Sequence, residues 1–600
     1  MSQPNVEQVT AKKQRRLINF LWVHVVPYLS VIVIVSLVGL WRYQPWNGLH
    51  GAVLTGGGDT FQVQATYEVA GQQGIFGFDP HLSWPAGFNI WSQPQLGYFL
   101  PTVAWLLIGG LSVSSAAATL LLQVVIMVLT GCAVLFLFRS VATDSVRIAA
   151  IVLAIGFAVS PYLLNVAFLG HQNVSFFVAI PVGLGVLIRG RGRSLRWWFL
   201  RGAPAIAVTI ALGPLWWDIV LVLVLAGVCV GFLLQRRWMH LKEVCIALGA
   251  CAIGAATQYV VFRSAVVNTG LASRGPWDSN VYGGHLTDFV AGSPTVNSWF
   301  PNLNKLVEGS SVEFRQAGLL CALAAIFLVL LLVKGLPTSV KMGDRNFDTR
   351  LITIASIVGV LFFLTGGFGN LQAGLAVAIG GQSPARVWSR LVMLIAVMGI
   401  LWALVYLKRW LLDSKLDPKR IRVWYGAFLV AVLAVIFVEL ANPLPAPSIT
   451  AASKMPEYGA VSFIEQSVAP CPVAQLPQDG FPIPRIALTN PPTKDQVPYY
   501  YRGVVPYLIA PNYYWSYGSW IPKARSTLNG LHTTLTAQDV NSLKAAGFCA
   551  VLFDKSLAAQ LIAGGMASKE GMIPGALGSP DYPSNRFDAY LLTKKAPAAP

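Results

Sequence analysis

Eleven runs of mostly apolar residues dominate this chain of 600 residues: roughly 17–40, 114–138, 147–164, 172–188, 202–217, 218–234, 242–262, 317–333, 351–368, 388–407 and 423–441. Hydrocarbon offers a backbone no water, so such a run must satisfy its own N–H and C=O groups, as a helix does. About 20 residues at about 1.5 Å each cross the roughly 30 Å apolar core of a bilayer. The runs therefore predict an α-helical polytopic membrane protein with about 11 transmembrane helices. Composition agrees: 11% of the residues are charged, against about 25% in soluble domains.

The formal charge of +18 raises two readings, nucleic acid and membrane topology. The basic residues lie in short clusters between apolar runs and form no stripe with interleaved aromatics, which excludes the first. The clusters include Lys12, Lys13, Arg15 and Arg16, then Arg189 to Arg201, Arg236 to Lys242 and Lys408 to Arg422. An excess of Lys and Arg marks cytoplasmic loops. The first run is longer than a signal peptide core and ends in Trp41-Arg42-Tyr43-Gln44-Pro45-Trp46, so it reads as a retained signal anchor. The apolar segment 97–110 is short and reads as an interfacial helix. These choices place the N-terminus in the cytoplasm and everything after 441 outside a cell membrane crossed many times.

The expected organisation is a transmembrane domain, 1–441, with outer loops at about 41–113, 263–316 and 369–387, then an extracytoplasmic α/β domain, 442–600. The loops are rich in Trp, Pro, Gly, Asp and Asn, which suits tight, ordered turns. Past the proline-rich "NPLPAPS", Val473–Leu476, Ile486–Leu488 and Cys549–Phe553 read as strands, and Ala537–Ala546 as an amphipathic helix. Five of the seven cysteines fall in predicted spans. Cys471 and Cys549 are the pair outside, in an oxidising compartment, and are candidates for a disulfide.

Candidate chemistry clusters outside the spans. Gly56-Gly57-Gly58-Asp59-Thr60 presents a carboxylate on a glycine-rich turn, where it can act as a general base or simply turn the chain. Asp79 and His81 follow in "FDPHLSWPAGFNIW", as candidate acceptor-side or secondary groups. His171 lies in "LGHQN", between two helices. Arg386 and Arg390 in "SPARVWSR" are four apart, on one helical face; arginine clamps phosphate oxygens with paired donors. Asp278, His285 and Asp288 are too loosely spaced to claim metal ligands, and no Cys-x-x-Cys, paired-His or Asp-x-Asp motif supports a divalent metal. Acidic residues inside spans are sparse, Asp218 and Glu439 among them.

The order of these features resembles the GT-C superfamily of membrane glycosyltransferases: one helix, a long outer loop with Asp59, "SPYLLNVAFLGHQN" between paired helices, an outer loop ending in "SPTVNSWFP", and "SPARVWSR" before a late helix. The resemblance covers about 1–441, and the segments around "YYWSYGSW" and "LKAAGFCAVLFDK" resemble the outer domain of uncharacterised bacterial members. It implies transfer of a sugar from a polyprenyl-phosphate donor to a glycan, lipid or protein acceptor at the outer face, by direct displacement with inversion. Asp59 would match the family's catalytic base. Arg386 and Arg390 would hold the donor phosphate, and His171 would make a secondary phosphate or acceptor contact; Asp288 joins Asp79 and His81 as a candidate acceptor-side or secondary group. Thr60 stands where many members carry a second acidic or aromatic residue, which weakens any metal. A transporter or lipid flippase, a ligase or polymerase using a diphosphate carrier, and a non-catalytic assembly factor stay open from the residues alone.

Overall fold

The computed structural model describes in the main residues 20–266, 317–372, 388–442, 447–477, 502–517, 531–563 and 574–593, less short gaps. Most of the segments 263–316 and 369–387, with Asp288 and Arg386, lies outside the described residues, as does the expected strand Ile486–Leu488.

All eleven apolar runs form helices. α1 (Leu21–Tyr43) leads to β1 (Ala52–Thr55), α2 (Thr60–Gln73), β2 (Phe78–Asp79), β3 (Phe88–Asn89) and α3 (Phe99–Gly110). There follow α4 (Ser115–Phe138), α5 (Arg147–Ala158), α6 (Pro161–Leu169), α7 (Ala179–Gly190), α8 (Ala203–Leu212), α9 (Leu215–Leu234) and α10 (Trp238–Val266). After α11 (Leu319–Lys334) comes a hairpin of β4 (Ser339–Met342) and β5 (Arg345–Asp348), then α12 (Arg350–Phe363), α13 (Val392–Asp413) and α14 (Pro418–Ala441). Beyond lie β6 (Ser448–Ala451), α15 (Tyr458–Ser467), β7 (Pro472–Leu476), β8 (Tyr514–Trp515), α16 (Ala537–Ala545), β9 (Ala550–Asp554), α17 (Lys555–Ala563) and β10 (Phe587–Leu591).

Among the described residues, 8 helical segments are long and apolar enough to cross a membrane. The runs at 202–217, 317–333 and 351–368 give helices of 10, 16 and 14 residues. One expected boundary moves. The sequence reading divides two spans at 217/218, but the break is at Gly213-Pro214, with Gly213 extended at ψ 165°. Proline lacks the N–H that would continue the helix and pushes the residue before it out of helical geometry. α3 has seven α-helical and five π-helical residues, about 18 Å at about 1.5 Å each and so short of the apolar core. It packs closely on α2: a Cβ on Gly71 would lie 2.3 Å from Ile108.

The bundle has two chemically different ends. At one, the Arg139 guanidinium donates to Val23 O at 2.7 Å, Arg189 to Phe136 O at 2.8 Å and Lys408 to Val141 O at 3.0 Å. Arg191 pairs with Asp348 at 2.8 Å, and Gly192 N–H donates to Glu243 at 2.7 Å. This end gathers the start of α1, the α4–α5 and α7–α8 connections, the start of α10 and the β4–β5 hairpin. At the opposite end, Tyr43 OH donates to Leu164 O at 2.8 Å, and β1 pairs antiparallel with β6, Ala52 facing Ala451 and Thr55 facing Ser448.

The residues after α14 form a four-stranded sheet in the order β10-β9-β7-β8. β7 is parallel to both β8 and β9, and β10 is antiparallel to β9. The expected strands at 473–476 and 549–553 correspond to β7 and β9, and the expected helix at 537–546 to α16. Cys471 and Cys549, just before β7 and β9, are joined in a disulfide with their Cα atoms 6.1 Å apart. The first long loop is part of this structure. Leu82 bridges Trp515 beside β8, and Val53, Phe61 and Leu82 share one buried core with Val473, Trp515 and Leu552.

Candidate functional site

Asp59 is the residue before the first turn of α2. Acidic residues at that position commonly accept a hydrogen bond from the first turn, but the Asp59 side chain makes no such capping bond. It is 39% exposed, and its Oδ2 lies 3.3 Å from His171 Nε2. A carboxylate left out of helix capping, open to water and touching an imidazole, can take a proton from an approaching hydroxyl.

The contact depends on Gly170. Its φ is +71°, and a Cβ there would sit 2.4 Å from Thr60 N and 2.5 Å from the Asp59 carbonyl carbon. Only a glycine lets the loop lie flat on the start of α2 and deliver His171 to the carboxylate. Directly after His171 comes the turn Gln172–Ser175. Gln172 is buried; it accepts from Tyr67 OH at 2.7 Å and donates to Thr119 O at 2.7 Å. Gln64 accepts from Leu54 N–H at 2.9 Å and donates to Ser115 Oγ at 3.1 Å. Burial pushes the Tyr67 phenol well above its ordinary range, so it serves as a donor. These bonds tie α2, α4 and the His171 turn into one polar support beneath the pair, and a fully bonded buried network of this kind is rigid.

The second acidic candidate is placed differently. Asp79 is 0% exposed. Its Oδ1 accepts from His81 N–H at 2.8 Å and lies 2.8 Å from His81 Nδ1, and its Oδ2 accepts from Tyr507 OH at 2.6 Å. Burial, with Asp79 beside it, pushes the Tyr507 phenol well above its usual range. His81 in turn lies against the Tyr514 ring, centroids 4.5 Å apart. Asp79 thus locks the first loop onto the region beyond α14.

Arg390 lies in the 3-10 turn Trp388–Leu391 that enters α13. Because Lys408 of α13 is at the basic end of the bundle, Arg390 is at the opposite end, with Asp59 and His171. Its guanidinium sits 5.6 Å from the Trp216 ring centroid, and Trp216 and Trp388 pack with centroids 5.8 Å apart. The indole N–H groups of both tryptophans are buried without a hydrogen-bond partner among the described residues. A guanidinium beside two such donors is an environment for an anion. Sequence reasoning passed over Trp216, whose "PLWWD" context reads as a helix end. Asp218 in that segment is held by Gln258 at 3.0 Å, and the same amide donates to Gly213 O at 2.8 Å across the α8–α9 break. Among the described residues, no group of three His, Cys, Asp or Glu could hold a metal ion.

No family model matches the chain, and no curated protein matches it. Several solved structures are similar. The Archaeoglobus fulgidus oligosaccharyltransferase, in complex with Zn and sulfate, is 14% identical with a TM-score of 0.46, over 90% of this chain and 69% of that one. The oligosaccharyltransferase AglB of the same organism, with an inhibitory peptide and a dolichol-phosphate, is 14% identical with a TM-score of 0.43, over 90% and 72%. Arabinofuranosyltransferase AftD from Mycobacteria is 15% identical with a TM-score of 0.48, over 87% of this chain but 35% of AftD. All three similarities are at 15% identity or less and at TM-scores below 0.5.

Proposed function

We propose that this chain is a membrane glycosyltransferase moving a sugar from a polyprenyl-phosphate donor to a glycan, lipid or protein acceptor on the outer membrane face, in cell-envelope glycan or glycolipid assembly. The observation that carries this is the Asp59–His171 contact at 3.3 Å, at the end of the bundle away from the basic clusters. Positive-inside bias makes that end the outer one and the N-terminus cytoplasmic.

Asp59 removes the proton of the acceptor hydroxyl as its oxygen attacks the anomeric carbon. The bond from that carbon to the phosphate oxygen breaks, the electron pair leaves with the polyprenyl phosphate, and the anomeric centre inverts. Arg390 and Arg386 hold the phosphate and its developing charge. His171 keeps Asp59 turned toward the acceptor and makes the secondary contact. No step requires a metal.

The test is transfer from radiolabelled polyprenyl-phospho-arabinofuranose and polyprenyl-phospho-mannose, with membranes holding equal amounts of folded wild-type and Asp59→Asn protein. Loss of a general base lowers the rate about 10²–10⁴-fold. Wild-type transfer by Asp59→Asn overturns the reading.

A further inference from the structure

A second site lies away from Asp59. A cleft opens in the region beyond α14, at the carboxyl ends of the three parallel strands. Gln475 and Leu476 end β7, Tyr517 follows β8 by two residues, and Asp554 ends β9; all four line the cleft. The chain leaves β7 for its neighbour on one side, β8, and then crosses to its neighbour on the other, β9. Such a reversal parts the connections above the sheet, and in open α/β sheets ligands bind in the crevice this leaves.

Each carboxylate on its walls is paired with an arginine. Glu457, almost fully buried, takes a two-pronged contact from Arg502 at 2.5 and 3.1 Å. Asp554 pairs with Arg586 at 3.1 Å. An anion would meet Glu457 and Asp554 and a cation would meet Arg502, all on the lining, whereas a neutral ligand rich in hydroxyls can donate to the carboxylates and accept from the Arg502 guanidinium. The Gln475 amide braces the wall, accepting from Tyr517 N–H at 3.0 Å and donating to Gly503 O at 2.6 Å. Leu552 and Phe587 add an apolar side suited to the C–H face of a ring.

We infer that this cleft binds a neutral sugar residue of the acceptor or product glycan, holding it on the face that carries Asp59. The choice of a sugar over another neutral polyol rests on the transferase reading; the cleft's position and its paired charges do not.

The test uses the purified full-length protein in nanodiscs and saturation-transfer NMR with the methyl glycosides of arabinofuranose, galactofuranose, mannose and glucose. At least one glycoside is expected to give a saturable signal. Leu557→Trp, which fills the cleft from α17, should weaken its binding at least tenfold. Asp554→Asn keeps a side chain able to cap α17 but removes a negative charge from the cleft wall. It should weaken the glycoside several-fold and strengthen binding of mannose 1-phosphate. Asp59→Asn should bind as wild type does, so failure of the transfer reaction and failure of this site are separate results. No signal from any of the four glycosides, binding indifferent to both cleft variants, or tighter binding of the sugar phosphate by the wild type would overturn the inference.

Discussion

Two aspartate–histidine pairs arise from the same long loop, at Asp59 and at Asp79, and they have opposite characters. Asp79 is fully buried, and both its oxygens are engaged by His81 and by a tyrosine 428 positions away. Asp59 is 39% exposed and meets a histidine from another connection. Proton transfer to a substrate needs an oxygen that a substrate can reach, so the same pair of residue types makes a lock in one place and, in the proposed function, a base in the other. The lesson is that burial and saturation separate the two roles, and neither is a property of the local sequence.

Exchanging the two substitutions would break this comparison most sharply. Asp59→Asn should lower turnover by about 10²–10⁴-fold with the thermal midpoint unmoved. Asp79→Asn should leave turnover per folded molecule near the wild-type value and cost about 1.5–3 kcal/mol of stability, the worth of hydrogen bonds to a buried charged group. Thermal unfolding in detergent, measured beside transfer, separates them; an inactive but fully stable Asp79→Asn would dissolve the distinction. Next in size is His171→Gln. Loss of one charge-assisted contact, worth about 1.5 kcal/mol, corresponds to about tenfold in rate. An unchanged rate would make His171 a structural neighbour. Smaller still is Trp216→Phe, which keeps the ring beneath Arg390 and removes one indole N–H. It should raise the donor KM a few-fold, about 1 kcal/mol for a neutral donor, with kcat held; equal changes in kcat and KM would place Trp216 outside the phosphate site.

The membrane helices were legible because a span is written in composition alone, about twenty apolar residues at a time. α2 was not. Its sequence TFQVQATYEVAGQQ mixes Gln and Thr among the apolar residues, so it reads as loop; yet Gln64 and Tyr67 are buried, because neighbouring elements supply partners for their polar atoms, and Thr66 is buried while donating back to Gln62 O in its own helix. Asp59 and His171 could each be picked out, but not their meeting, which depends on a positive φ at Gly170 and a close backbone approach. The burial of Asp79 was hidden for a different reason: Tyr507 reaches it from the far side of the bundle's whole sequence. Local pattern reports what a segment prefers, and these features are contacts between segments.

A third pair tests the rule at its weakest. Asp539, in the first turn of α16, lies 3.0 Å from His532 and closes a capping box with Thr536. His532 is 63% exposed, so the pair belongs to neither class: no lock between segments and no deep support beneath it. Burial pushes the Asp539 carboxyl up, but the Thr536 N–H, His532 and the Thr536 hydroxyl together outweigh it and hold the carboxyl below its ordinary value. A carboxyl lowered in the folded state adds stability above its unfolded value of about 3.9, and that contribution is lost as pH falls through the folded value. Asp539→Asn should therefore flatten the acid limb of the thermal midpoint below about pH 4, by less than about 1 kcal/mol because the partner histidine is exposed, and leave transfer untouched. An effect on stability as large as that of Asp79→Asn would mean that closure by a distant partner matters less than local capping, and the contrast between the first two pairs would need another explanation.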